Sequence, residues 1–78
     1  ALVETPPHSD SGSYSHHGGE ELVFILEGHL TFYLEGHKPY ELGPFDTLYY
    51  PNYIGHRWSN DSDEMVRMLM VSTSPYNF

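Results

Sequence analysis

Short apolar runs separated by turn residues recur along the chain from Leu22 onward, at a spacing of about eight to ten residues. No stretch sustains a helical period of apolar positions. This pattern is typical of β-sandwiches and barrels, and it predicts an all-β fold built as a small antiparallel β-barrel. The predicted strands cover residues 22–27, 30–35, 40–42, 46–50, 56–59 and 65–73, with a further edge strand near residues 2–4.

The tetrapeptide Leu-Glu-Gly-His occurs twice, at residues 26–29 and again at residues 34–37. A glycine at the centre of each copy supplies the positive φ that a tight turn needs. We interpret the two copies as successive hairpin turns. The strands at residues 22–27 and 30–35 are therefore expected to pair antiparallel.

The first long strand is apolar on both faces. Leu22, Phe24 and Leu26 alternate with Val23 and Ile25, so that neither side is polar. One face can fill the interior of the barrel, but the other needs a second sheet or another subunit. We therefore expect a homodimer.

The chain has 78 residues, enough for one small domain that buries about 60% of its unfolded surface. We expect a single domain over residues 1–78, with residues 1–14 as a loop or edge strand and residues 15–74 as the barrel core. Because the first residue is alanine, we expect a fragment of a longer chain.

The composition limits the chemistry that the chain can perform. A formal charge of −8 repels phosphate backbones, so this domain is not expected to contact nucleic acid itself. There is no cysteine, so any metal would be held by nitrogen and oxygen ligands. No apolar run reaches the length of a membrane span, and no signal peptide opens the chain, which predicts no membrane contact and a cytoplasmic location.

Candidate ligands cluster just before the first long strand. A helix over this region would place two glycines in its first turn, at about 1 kcal/mol each relative to alanine. In an extended chain Ser15 and His17 share one face and His16 lies on the other. A bend at Gly18-Gly19 then lets Glu21 return toward the interior that His17 faces.

A third candidate ligand, His56, follows the corner at residues 51–55 and shares a strand face with Trp58 and Asn60. If that strand lies across the barrel, His17, Glu21 and His56 meet. Two imidazoles and one carboxylate leave open positions on a cation, an arrangement that suits Fe²⁺ and also Mn²⁺ or Zn²⁺.

These residues resemble the two sequence motifs of the cupin superfamily. The resemblance is carried by His17-Gly18-Gly19-Glu20-Glu21, Gly28, Pro51, His56 and Asn60. It implies a double-stranded β-helix, jelly-roll-like, with a central metal held by His17, Glu21 and His56. Ser15 stands where the family has another histidine, and His16 is the natural substitute. Trp58, Tyr50 and Ser15 are expected to form the pocket for a small-molecule ligand.

The flanking segments resemble the C-terminal cupin domains of bacterial helix-turn-helix (XRE-type) transcriptional regulators. The similar stretches are "YSHHGGEELVFILEGHLTFYLEG", "YELGPFDTLYYPNYIGHRWSN" and "VSTSPYNF". This resemblance implies a domain that dimerises and senses a small molecule. DNA would then be contacted by an N-terminal helix-turn-helix domain that these residues do not contain.

Two other functions remain open at this stage. The first is a mononuclear metal-dependent enzyme, such as a non-haem iron oxygenase or epoxidase, an isomerase or a lyase, acting on a small polar acid. The second is a structural or carbohydrate-binding barrel without a cofactor, in which the three side chains form a polar network that must be fully hydrogen-bonded.

Overall fold

The computed structural model describes residues 1–73, and this part of the chain contains eight β-strands. They are β1 (Leu2–Thr5), β2 (Ser9–Asp10), β3 (Glu20–Glu27), β4 (Leu30–Leu34), β5 (Tyr40–Leu42), β6 (Thr47–Pro51), β7 (His56–Asn60) and β8 (Val66–Thr73). The last residue of the predicted barrel core and the final five residues of the "VSTSPYNF" flank lie outside the described residues.

The strands form two antiparallel four-stranded sheets, ordered β1-β8-β3-β6 and β2-β7-β4-β5. Along the chain the strands alternate between the two sheets, as in a jelly roll, except that β4 and β5 are neighbours in one sheet. The predicted all-β fold class is confirmed. Among residues 1–73 no helix is long and apolar enough to cross a membrane.

The predicted pairing of residues 22–27 with residues 30–35 is wrong. Strand β3 pairs with β6 and β8, whereas β4 pairs with β5 and β7. The turn at Gly28 therefore carries the chain from one sheet to the other, and only the second copy of the tetrapeptide closes a hairpin, between β4 and β5. In this arrangement the apolar faces of β3 and β4 stack against each other between the two sheets and form a core. If β3 and β4 paired edge to edge in one sheet, their apolar faces would not cover each other.

The core lies between the two sheets and takes alternate residues from each long strand. On β3 the inward side chains of Val23 and Ile25 are fully buried, while Leu22 stays exposed. The buried apolar side chains are Val23, Ile25, Leu30, Phe32, Leu34, Leu42, Tyr50, Val66 and Met68. Burial of this kind is the main favourable contribution to folding.

The outer face of the β1-β8-β3-β6 sheet is also apolar. Leu22 lies between Val71 and Tyr49 on the neighbouring strands, and all three side chains are exposed. One row away, exposed Leu69 lies between exposed Leu2 and half-buried Phe24. The second apolar face of β3 therefore has no covering layer within the described residues. We call these six side chains the outer apolar face.

The two tetrapeptide glycines offer a matched test of the turn at Gly28. Both glycines have positive φ, 87° at Gly28 and 85° at Gly36. A Cβ at Gly28 would lie 2.8 Å from the Met65 carbonyl oxygen, whereas a Cβ at Gly36 meets nothing within 4 Å. Gly36→Ala should therefore cost about 1 kcal/mol of unfolding free energy, from backbone strain alone.

Gly28→Ala adds a backbone clash to the same strain, and we expect it to cost about 3 kcal/mol of unfolding free energy. Chemical denaturation of both variants measures the difference. Equal losses for the two variants would mean that the close approach of residues 28 and 65 does not constrain the crossover.

Candidate metal centre

Glu21 occupies the centre of the candidate site, on β3 between its cross-strand neighbours Tyr50 on β6 and Ser72 on β8. In an antiparallel sheet such neighbours share one face, with Cβ atoms about 5 Å apart. The Tyr50 hydroxyl donates to Glu21 Oε1 at 2.8 Å, and the Ser72 hydroxyl donates to Oε2 at 2.7 Å. Because each carboxylate oxygen has its own donor, the buried carboxylate is held in one orientation.

His56 is the first residue of β7 and is also buried. Its backbone exchanges two hydrogen bonds with Ser15 in an isolated β-bridge, which fixes the segment before β3 beside β7. Its Nδ1 lies 2.8 Å from the Ile54 carbonyl oxygen, and a carbonyl can only accept. Nδ1 therefore carries the proton, and Nε2 is left facing Glu21 Oε1 at 3.3 Å.

His17 lies in the bend before β3 and is held mainly through its backbone. Its N–H donates to the Asn52 carbonyl oxygen at 3.0 Å, and the Asn52 side chain donates to the Gly18 carbonyl oxygen at 3.3 Å. The His17 Nδ1 also lies 3.3 Å from that Gly18 oxygen, which leaves Nε2 as the free ring nitrogen. Fully buried Asn52 thus holds the backbone that carries the exposed His17 imidazole.

The three side chains converge on one point. One ligand atom each from His17, Glu21 and His56 lies within 4.8 Å of the other two. The centroids of the two imidazole rings are 5.0 Å apart. With Nδ1 protonated, a lone pair on His56 Nε2 would face a carboxylate oxygen, an arrangement that a cation between them stabilises. The donor set and its tautomers therefore fit a divalent metal, whose ligand histidines typically donate their other N–H to a carbonyl.

Burial raises the pKa of the Tyr50 hydroxyl well above its ordinary value, and the hydrogen bond and negative charge of Glu21 raise the pKa further. Below about pH 10 the hydroxyl is protonated in both the folded and the unfolded chain. At higher pH only the unfolded chain loses this proton, so the free energy of unfolding should fall by up to about 1.4 kcal/mol per pH unit.

Tyr50→Phe should remove this part of the alkaline slope, which urea denaturation between pH 8 and pH 11 measures. Tyr53→Phe is the control, because that side chain is exposed. An alkaline slope that is the same in Tyr50→Phe and in the unmodified chain would contradict the assignment to Tyr50.

A cavity of about 310 Å³ opens beside the three ligand atoms. Of the predicted pocket residues, Ser15 and Trp58 line it, whereas Tyr50 lies behind Glu21. His16 lies apart from the cluster, with its Nε2 3.0 Å from Glu35 Oε1 on the exposed surface. We therefore leave His16 out of the candidate ligand set.

Three residues of the site were missed from sequence. Ser11 and Met70 line the cavity, and Ser72 supplies the second hydrogen bond to Glu21. The alternation of β8 puts Met70 and Ser72 on one face, but the pairing of β8 with β3 was needed to place that face beside Glu21.

Comparison with known proteins decides the family. Residues 1–72 match the cupin domain family model. The chain is a cupin domain. This cupin domain is similar to the dimethylsulfoniopropionate lyase DddQ of Ruegeria pomeroyi, with 44% identity over 43 residues that make up 55% of this chain and 20% of that protein. It thus spans a fifth of that relative's length.

Solved structures give the same picture. The crystal structure of DMSP lyase DddQ from Ruegeria pomeroyi DSS-3 superposes with a TM-score of 0.84 at 28% identity, over 99% of this chain and 38% of that chain. A predicted oxalate decarboxylase from Thermotoga maritima gives a TM-score of 0.83 at 25% identity, over 94% of this chain and 63% of that chain. Neither similarity supports the predicted place in a helix-turn-helix regulator.

Proposed function

We propose that this cupin domain is the catalytic domain of a mononuclear metal-dependent enzyme that acts on a small polar acid, with lyase chemistry as the reaction class. The observation that carries the proposal is the convergence of His17, Glu21 and His56 beside an open cavity. The similarity to a lyase in both comparisons favours this function over an oxygenase or isomerase.

In this proposal one set of residues binds the metal and another contacts the acid. His17, Glu21 and His56 would hold Fe²⁺, Mn²⁺ or Zn²⁺, and a bound divalent cation supplies Lewis-acid polarisation of the substrate's carboxylate. Tyr50 and Ser72 keep the carboxylate of Glu21 oriented as a ligand. The remaining cavity wall would orient the organic part of the substrate.

Metal analysis of protein purified without chelator tests the first half of this proposal, with about one divalent ion per chain expected. The loaded protein is then given a panel of small carboxylates that includes dimethylsulfoniopropionate, and product formation is followed by NMR. Turnover without oxygen uptake that splits the acid into two products supports a lyase, rearrangement to a single isomeric product supports an isomerase, and turnover that consumes oxygen supports an oxygenase. Absence of metal, with no rise in melting temperature on adding Fe²⁺, Mn²⁺ or Zn²⁺, would favour the barrel without a cofactor.

We also propose that two copies associate through the outer apolar face. A chain with a formal charge of −8 repels its own copy, so association needs a face whose contacts are mostly uncharged, and this face supplies one. Light scattering of Leu22→Glu against the unmodified chain tests it. A dimer that survives a carboxylate in the middle of this face would contradict the assignment. The alternative function of a small-molecule sensor would also require a dimer. Binding of a small molecule without turnover would support that alternative.

A further inference from the structure

The carboxylate of Glu21 is held from two sides. Its strand β3 lies between β6, which carries Tyr50, and β8, which carries Ser72. The Tyr50 hydroxyl donates to Oε1 at 2.8 Å, and the Ser72 hydroxyl donates to Oε2 at 2.7 Å. The carboxylate therefore spans the space between the two neighbouring strands, and it cannot rotate without breaking a hydrogen bond.

The oxygen that faces His56 is Oε1, at 3.3 Å from the imidazole Nε2. Two donor atoms bound to one cation at about 2.1 Å each, and at an angle of about 90–110°, are about 3.0–3.4 Å apart. The separation of Oε1 and Nε2 lies within this range. Oε1 is therefore the carboxylate oxygen placed to share a cation with His56.

A carboxylate can bind a cation through one oxygen or through both. For Glu21 to bind through both, its carboxylate would have to turn until the two oxygens were equally close to the cation. That rotation would pull Oε2 away from the Ser72 hydroxyl, and hydrogen bonds to an ionised carboxylate are among the stronger ones in proteins. The bond from Tyr50 does not distinguish the two modes, because Oε1 is a ligand in both.

We propose that Ser72 is a positioning residue that keeps Glu21 bound to the metal through one oxygen, so that an extra coordination position stays open for the substrate. One atom each from His17, Glu21 and His56 would occupy three positions of a six-coordinate cation and leave three open. If both carboxylate oxygens were bound, two positions would be open. Three positions admit a small acid that binds through two atoms together with a water. This inference rests on the proposed function, because it assumes the bound cation.

The number of water molecules on a bound Mn²⁺ ion reports the open positions, and the magnetic-field dependence of water-proton relaxation measures it. We expect about three waters on the Mn²⁺-loaded unmodified chain and about two in Ser72→Ala, where Oε2 is free to turn toward the ion. The Mn²⁺ affinity of Ser72→Ala should not fall, because no ligand is removed. Ser72 is exposed, so we expect alanine to leave the fold intact, which circular dichroism checks.

Three further variants assign the effect to the Ser72 hydroxyl. Ser72→Thr keeps a hydroxyl and should keep about three waters. Thr73→Ala removes the next hydroxyl of β8, which accepts from the Glu20 N–H at 3.2 Å, and should also keep them. Tyr50→Phe removes the other hydrogen bond of Glu21 and should keep them as well, because Ser72 still holds Oε2.

The outcomes separate this inference from the proposed function. The same number of waters in Ser72→Ala as in the unmodified chain, or about two waters already on the unmodified chain, would overturn the role of Ser72 and leave the metal site standing. Loss of a water in Tyr50→Phe or Thr73→Ala would overturn the assignment to Ser72 in the same way. Failure of the unmodified chain to bind Mn²⁺ would overturn the proposed function and this inference with it.

Discussion

Replacing His56 by alanine should lower the affinity of the chain for divalent metal by at least about 100-fold, since one of three protein ligands is lost and Glu21 loses the group that faces it. Calorimetric titration with Mn²⁺ measures the change. His16→Ala is the matched control, because that imidazole pairs with Glu35 on the surface, away from the cluster. We expect its metal affinity to stay within about twofold of the unmodified chain.

His56 is buried, so loss of metal binding has to be separated from loss of the fold. Glu21→Gln serves as a second variant because it keeps the size of the side chain while removing the anionic ligand. Circular dichroism checks that both variants are folded. A folded His56→Ala or Glu21→Gln protein that binds Mn²⁺ like the unmodified chain would rule out the proposed ligand set.

Asn60→Ala should lower the free energy of unfolding by about 3 kcal/mol, a large part of the stability of so small a domain. Asn60 is fully buried, and its side-chain amide donates to the carbonyl oxygens of Thr5, Pro6 and Glu64 at 2.7 to 3.1 Å. Its Oδ1 accepts from the backbone and the hydroxyl of Ser62. Alanine would leave the buried Thr5 carbonyl without this partner and would remove the part-buried hydrogen bonds to Pro6, Ser62 and Glu64.

Thermal unfolding measures this loss, and a decrease of about 3 kcal/mol corresponds to a fall in melting temperature of roughly 12–24 °C in a domain of this size. Lys38→Ala, at an exposed position of the β4–β5 turn, is the control for surface substitution. A melting temperature for Asn60→Ala within a few degrees of the control would show that water replaces these hydrogen bonds at little cost.

Local features of the chain could be predicted well from sequence. The β-strands followed from alternation and turn residues, because both are properties of neighbouring residues. The bend at Gly18-Gly19 and the position of His56 after its corner gave three candidate ligands, which the structure places within 4.8 Å of one another. Whether they bind metal stays a prediction.

Strand pairing could not be predicted from the same features. Two identical Leu-Glu-Gly-His segments form a crossover in one place and a hairpin in the other, because the choice depends on which apolar faces stack between sheets. Glu21 obtains its two hydrogen bonds from Tyr50, 29 residues away, and from Ser72, 51 residues away. Tyr50 was therefore assigned to the pocket, and Ser72 was not identified.

The most direct test of the account is an anomalous-difference map from crystals of the Mn²⁺-loaded chain. We expect one peak inside the barrel, about 2.0–2.3 Å from an imidazole nitrogen of His17, an imidazole nitrogen of His56 and a carboxylate oxygen of Glu21. A peak only at surface carboxylates, or an ordered site in which these three side chains turn away from one another, would contradict the claim that they form a metal centre.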